Sequence, residues 1–199
     1  MQPGKINYKV YQGSTFQEVL RWESETKKYA LISAITKAAP CVITTTSAHQ
    51  VPLNWRIRVV GAGGMKEINT TNEDAHYLAT GITSNTITLN QVNSLNYTTY
   101  TSGGALEFNT PVDLTGYTAQ MQIRESIDST TVIHEMTSAT NGGIDINLTD
   151  STVSLIIPAN TTRNFSFDTA VYSLELTNNT GTVIPFIAGN MTLIREVTR

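Results

Sequence analysis

Apolar residues along this chain recur mostly at every second position. In "INYKVY", Ile6, Tyr8 and Val10 share one face, and in "TITLNQV" Ile87 and Leu89 do so. "TAQMQIR" sets Ala119, Met121 and Ile123 together, and "IDINL" pairs Ile144 with Ile146 and Leu148. In "AVYSLEL", Tyr172, Leu174 and Leu176 lie opposite Val171, Ser173 and Glu175. Such alternation is the mark of strands with one buried face. Between these segments stand "TSGG", "TNGG" and "TNNTG", the turn residues of hairpins. One stretch, "STFQEVLRWESETKKYALISA", places Phe16, Val19 and Leu20 at helical spacing, yet "TFQEVLRW" fits a strand equally well. No neighbouring segment asks for a helix, so a strand is expected there.

Composition strengthens the all-β expectation. Asn and Thr together make up about a quarter of the chain; Thr favours strands and Asn favours turns. Of the 199 residues, 40% are hydrophobic and only 15% charged, which implies a polar, uncharged surface. That length holds one large β domain or two small ones with ample core.

Charge removes several function classes. The net charge is -3, and the Lys and Arg residues are scattered rather than clustered, which argues against nucleic acid. No apolar run approaches a membrane span, and "MQPGKINYKVYQG" lacks the pattern of a signal peptide. The single cysteine, Cys41, excludes an intrachain disulfide and a cysteine-built metal site. Its setting, "APCVITTT", predicts a buried filler at the start of a strand.

The segment "VVGAGGMKEIN" poses a sharper question, because a glycine cluster after an apolar run is where a phosphate loop would sit. A phosphate cradle opens into a helix; a P-loop adds Lys and Ser/Thr directly after its last glycine. Here Lys66 lies two residues beyond Gly64 with Glu67 beside it, and "NTTNEDA" starts a helix badly. The expectation is strand, tight glycine turn, strand, with no nucleotide.

Texture divides the chain. Residues 30–106 are rich in Thr, Asn and Gly, whereas residues 1–29 and 107–199 carry most of the charges. The middle stretch also resembles a small β-barrel module common in bacteriophage virion proteins, known for its similarity to the first catalytic cysteine half-domain of ubiquitin-activating enzymes (FCCH-like). The likeness lies in "ITKAAPCVITTTSAH", "VVGAGGMKEIN", "NTITL" and "YTSGGAL". Cys41 has no base or anion-stabilising group nearby in sequence, so no ubiquitin-type chemistry is expected. The flanks, "INYKVYQGSTFQEVLRW" and then "TPVDLTGYTAQMQIRES" onward, resemble the N-terminal β-sandwich of baseplate upper proteins in phages of Gram-positive bacteria. Joining Trp22 to Pro111 restores the order of that pattern.

These resemblances imply a β-sandwich built from discontinuous flanks, 1–29 plus 107–199, with an inserted small β-barrel module at 30–106. They imply a non-enzymatic virion protein of the tail, baseplate or neck, assembled in the bacterial host cytoplasm. Its expected partners are copies of itself and other virion proteins, with a capsid decoration protein as the alternative.

No catalytic residue, metal ligand or cofactor is expected. His49, His76 and His134 show no spacing that puts two ligands on one face. Glu135, Asp145 and Asp150 form no carboxylate pair legible in sequence, and "DINLTDST" lacks the central Gly and terminal Glu of an EF-hand. Trp55, Tyr97 and Tyr100 could form a sugar platform, which leaves a host glycan as a possible ligand. Interface positions are expected where charge collects in the flanks: Arg124 and Glu125 in "QIRESID", and Arg195 and Glu196 in "IREVTR".

Overall fold

The computed structural model describes residues 2–197. The chain opens with β1 (Gly4–Lys5), β2 (Tyr8–Tyr11) and β3 (Phe16–Arg21), then a long β4 (Glu23–Ile35). There follow β5 (Cys41–Thr45), β6 (Arg56–Val60), a 3-10 turn (Lys66–Ile68), β7 (Tyr77–Leu78), β8 (Gly81–Ile82) and β9 (Thr86–Leu89). β10 (Ala105–Pro111), β11 (Thr118–Arg124), β12 (Val132–Thr137), β13 (Ile144–Asn147) and β14 (Thr152–Ile157) come next. A single helical turn, α1 (Ala159–Thr162), precedes β15 (Thr169–Thr177) and β16 (Val183–Ile194). The protein is all-β, and the ambiguous "TFQEVLRW" is strand.

Two compact units form: the flanks up to Arg21 and from Asp113 make one, and Trp22–Val112 makes the other. The breaks expected at 29/30 and 106/107 fall inside β4 and β10. Texture misplaced them because the charged residues of "ESETKK" sit on a strand that pairs with β10 along most of its length.

The flanking unit is a sandwich. Its larger sheet runs β1-β16-β15-β11-β12, with β2 also on β16, and its smaller sheet runs β13-β14-β3. Alternation decides which side chains face inward. Met121, Ile123, Leu174, Val153 and Leu155 are fully buried, and each such side chain contributes roughly 1.5–3 kcal/mol. Leu148 is a departure: β13 stops at Asn147, and Leu148 beyond it is exposed.

The N-terminal strand lies parallel to β16, Gly4 opposite Ile187 and Tyr8 opposite Met191. Between β1 and β2 the chain crosses directly over Gly189, where a Cβ would collide with the Ile6 carbonyl. Tyr172 donates its hydroxyl to that carbonyl at 2.9 Å, and Asn7 Oδ1 accepts the Asn190 N–H at 3.0 Å. Below, the Tyr8 ring packs on Phe16 and Tyr172, each at 5.3 Å. Burial, with Glu18 adding to it, pushes the Tyr8 hydroxyl up to about 12.

The middle unit is one curled sheet, β7-β6-β10-β4-β5-β9-β8. Its interior holds Cys41, Ile43, Trp55, Ile57, Met65, Ile87, Leu89 and Leu106 among others. The chain enters and leaves this unit side by side. Glu23 pairs with Pro111, and Val112 donates its N–H to the Trp22 carbonyl at 2.9 Å.

Candidate functional site

The glycine turn has a definite chemical state. Ala62 N–H donates to Asn69 Oδ1 at 2.8 Å, and Asn69 Nδ2 returns a bond to the Ala62 carbonyl at 3.0 Å. Gly63 N–H is held by the Ser102 carbonyl, Met65 N–H by Gly63 and Lys66 N–H by Gly64. A phosphate would need those amides pointing free. They are committed to the turn, so it cannot act as an anion cradle without unfolding. The expected strand after the turn is instead the 3-10 turn Lys66–Ile68, whose Ile68 enters the core. Glycine is needed for contact as well as for conformation. At Gly63 a Cβ would sit 2.7 Å from the Ser102 carbonyl, and Gly64 has φ +76°.

Cys41 opens β5, is fully buried and points its thiol at the Thr36 carbonyl, 3.6 Å away. Burial pushes the thiol above its ordinary value, the opposite of what a nucleophile needs.

The histidines are spread over both units. His49 is buried; its Nδ1 accepts the Val51 N–H at 2.9 Å, so Nε2 carries the proton and donates to the Thr86 carbonyl at 3.2 Å. His76 donates Nδ1–H to the Asp74 carbonyl at 2.7 Å. His134 is half-buried beside the Phe165 ring, and desolvation lowers its pKa. Among the described residues no three His, Cys, Asp or Glu side chains gather at metal-binding distance.

Of the carboxylates singled out in sequence, Asp145 is exposed on β13, and Glu135 and Asp150 serve local structure. Glu135 accepts from Gln120 at 2.6 Å and from Gln122 at 2.8 Å. Asp150 closes a turn with Asn147, its N–H donating to Asn147 Oδ1 at 3.0 Å.

The aromatic platform is overturned. Trp55 has no exposed surface, and its indole N–H donates to the Asn109 carbonyl at 2.8 Å. Tyr97 and Tyr100 pack against the same core, and the Tyr100 hydroxyl bonds the Gly103 carbonyl at 2.9 Å. In sequence Trp55 follows the turn residues Pro52 and Asn54, a setting that does not show whether its ring points into a core or into solvent.

One charged cluster is not legible in the sequence. Glu107, only 8% exposed, lies between Lys27 at 3.0 Å and Arg58 at 2.8 Å. Burial pulls its pKa up, but the bond to Lys27 and the charges of Arg58 and Lys27 outweigh that and hold it below the usual range. The three side chains come from β4, β6 and β10, so they tie neighbouring strands on the outward face of the curled sheet, where Lys27 also reaches exposed Glu73 at 3.7 Å.

The expected interface residues separate into two places. Arg195 reaches Asp168 at 2.8 Å, both largely exposed, and such a pair contributes about 0–1 kcal/mol. Glu196 is exposed beside it in sequence. Arg124 ends β11, donates to Gln122 Oε1 at 2.7 Å and to the Ser129 carbonyl at 2.7 Å, and so braces the turn that follows. Glu125 stands exposed in that turn. Arg124 also lines a cleft of about 790 Å³ in the sandwich unit, together with Lys5, Ile127, Val171 and Ala188. Arg195 and Glu196 are not part of it. The cleft was invisible in sequence because its walls come from opposite ends of the chain.

Compared with protein-family models and with curated proteins, the chain matches none.

Proposed function

We propose that this protein is a non-enzymatic structural component of a bacteriophage virion, an adaptor of the tail, baseplate or neck that supports fibre attachment in multiple copies. The observation that carries this reading is the paired exit and return of the chain at Trp22 and Val112. A sandwich interrupted by a module on two adjoining strands can be anchored through one unit while the other stays available to a neighbour. The module's resemblance to a virion-protein β-barrel and the flanks' resemblance to a baseplate sandwich support the same reading. The committed amides of the glycine turn and the buried Cys41 and Trp55 give nucleotide, thiol and sugar chemistry at those positions no support.

The test is location. Antibody labelling of intact particles is expected to mark the tail, its baseplate or the neck. Label spread over the capsid would replace the adaptor with a decoration protein, and particles without label would overturn the virion assignment.

A further inference from the structure

The cleft of the sandwich unit has a chemistry that its own surface complements. Its floor is the outward face of two adjacent strands, with the short side chains Val171 and Ser173 on β15 and Ala188 on β16, and Asn190 at its edge opposite Val171. Small floor residues leave depth between two walls. One wall is the N-terminal strand with Pro3 and Lys5; the other is the turn after β11 with Ser126 and Ile127. The charged residues lining the cleft, Lys5 and Arg124, are both cationic, and no carboxylate among the described residues lines it. Neither cation joins an ion pair among the described residues. Arg124 gives three N–H groups to Gln122 and Ser129, and a guanidinium carries five. In a chain of net charge -3, that local excess selects an occupant with an apolar body and carboxylates beside it.

The turn that walls the cleft offers such an occupant. It reads Glu125-Ser126-Ile127-Asp128, with Ile127 85% exposed and both carboxylates in solvent. Neither Glu125 nor Asp128 forms an ion pair among the described residues. A turn cannot fold into the cleft that it walls, but it can enter the cleft of a second molecule. We infer that this face binds a second copy of the chain, with Ile127 of each copy seated on the small-residue floor of the other. Glu125 and Asp128 then meet Lys5 and Arg124 across the contact. Turn and cleft are adjacent on one surface, so one insertion brings the reciprocal pair together about a two-fold axis. An anionic sugar fits less well: Tyr172, the aromatic residue at the cleft, is only 4% exposed, with its ring against Tyr8.

This inference rests on the multi-copy part of the proposed function and specifies its contact. The purified full chain is expected to show a monomer–dimer equilibrium in sedimentation velocity. Ile127→Ser, Lys5→Glu and Glu125→Lys, all at exposed positions, should each raise the dimer dissociation constant about tenfold or more, with unchanged circular dichroism. The decisive arm mixes two variants. Lys5→Glu and Glu125→Lys repel themselves when alone, yet mixed they restore opposite charges at both contacts and should form a heterodimer. A wild-type chain that is monomeric at every concentration overturns the contact, as does a mixture that stays monomeric or charge variants that associate as wild type does. A monomeric protein that still labels virions overturns this contact and leaves the virion reading standing. A dimer absent from particles supports the contact and removes the virion reading.

Discussion

At Gly64 the backbone is left-handed, and an added Cβ would lie 2.8 Å from the Thr101 backbone nitrogen. Two penalties therefore coincide: the conformation disfavours any side chain, and the 99–104 segment leaves no space for one. Gly181 separates them, since its φ is +80° and nothing lies within 4 Å of its Cβ position. Gly181→Ala should cost about 1 kcal/mol, and Gly64→Ala clearly more than about 1 kcal/mol, in urea unfolding followed by circular dichroism. Equal losses at the two sites would show that contact with the 99–104 segment contributes nothing. Millimolar ATP should leave the melting temperature unchanged, because the Ala62, Gly63, Met65 and Lys66 amides already have partners. The sequence pointed to the turn through glycine spacing alone. It could not show that Ser102 and Thr101 press on that turn, because those contacts join residues distant along the chain.

β4 shows how an element can mislead at its ends. Its inward residues Ala30, Ile32 and Ile35 are buried, but its first half reads Glu-Ser-Glu-Thr-Lys-Lys and looks like a solvated linker. That half nevertheless carries Lys27 to Glu107 and pairs with the end of β10. A fragment of residues 22–112 should therefore fold alone and melt cooperatively. A fragment of residues 30–106 loses Lys27, Glu107 and the Asn109 carbonyl that holds Trp55, and should unfold at markedly lower temperature or stay unfolded. Equal melting of the two fragments would return the boundary to the texture change. Strands with clean alternation, such as β11 and β15, were legible because each buries one face completely. Glu107 follows the same alternation on the outward face of β10, and only neighbouring strands reveal that its charge is enclosed.

Across the whole molecule, acid should act in two windows. His134 in the sandwich has a lowered pKa, so its folded form refuses a proton that the unfolded chain accepts near the ordinary 6.5. The sandwich thus loses stability as pH falls through that value, until the folded imidazole also titrates. Glu107 in the curled sheet has the opposite dependence on charge: its lowered pKa stabilises above the ordinary 4.5, and that contribution is lost as pH falls through the folded value. Hydrogen exchange resolved by unit at about pH 7.5 and about pH 5.5 should show the sandwich weakening, and His134→Leu should flatten that slope. A slope unchanged by His134→Leu would exclude this histidine as its source.

The side-by-side entry and return of the chain at Trp22 and Val112 also has a mechanical meaning. Force pulling the curled sheet away from the sandwich is carried by two covalent strands at once. Such a load runs along β4 and β10 together and does not peel one from the other. Force that separates Trp22 from Val112 instead opens the β4–β10 ladder one hydrogen bond at a time. A tether attached at the far end of the curled sheet should therefore withstand much higher force than one spreading its two junctions. In a part that bears tension, that asymmetry makes the direction of pull as important as the number of bonds.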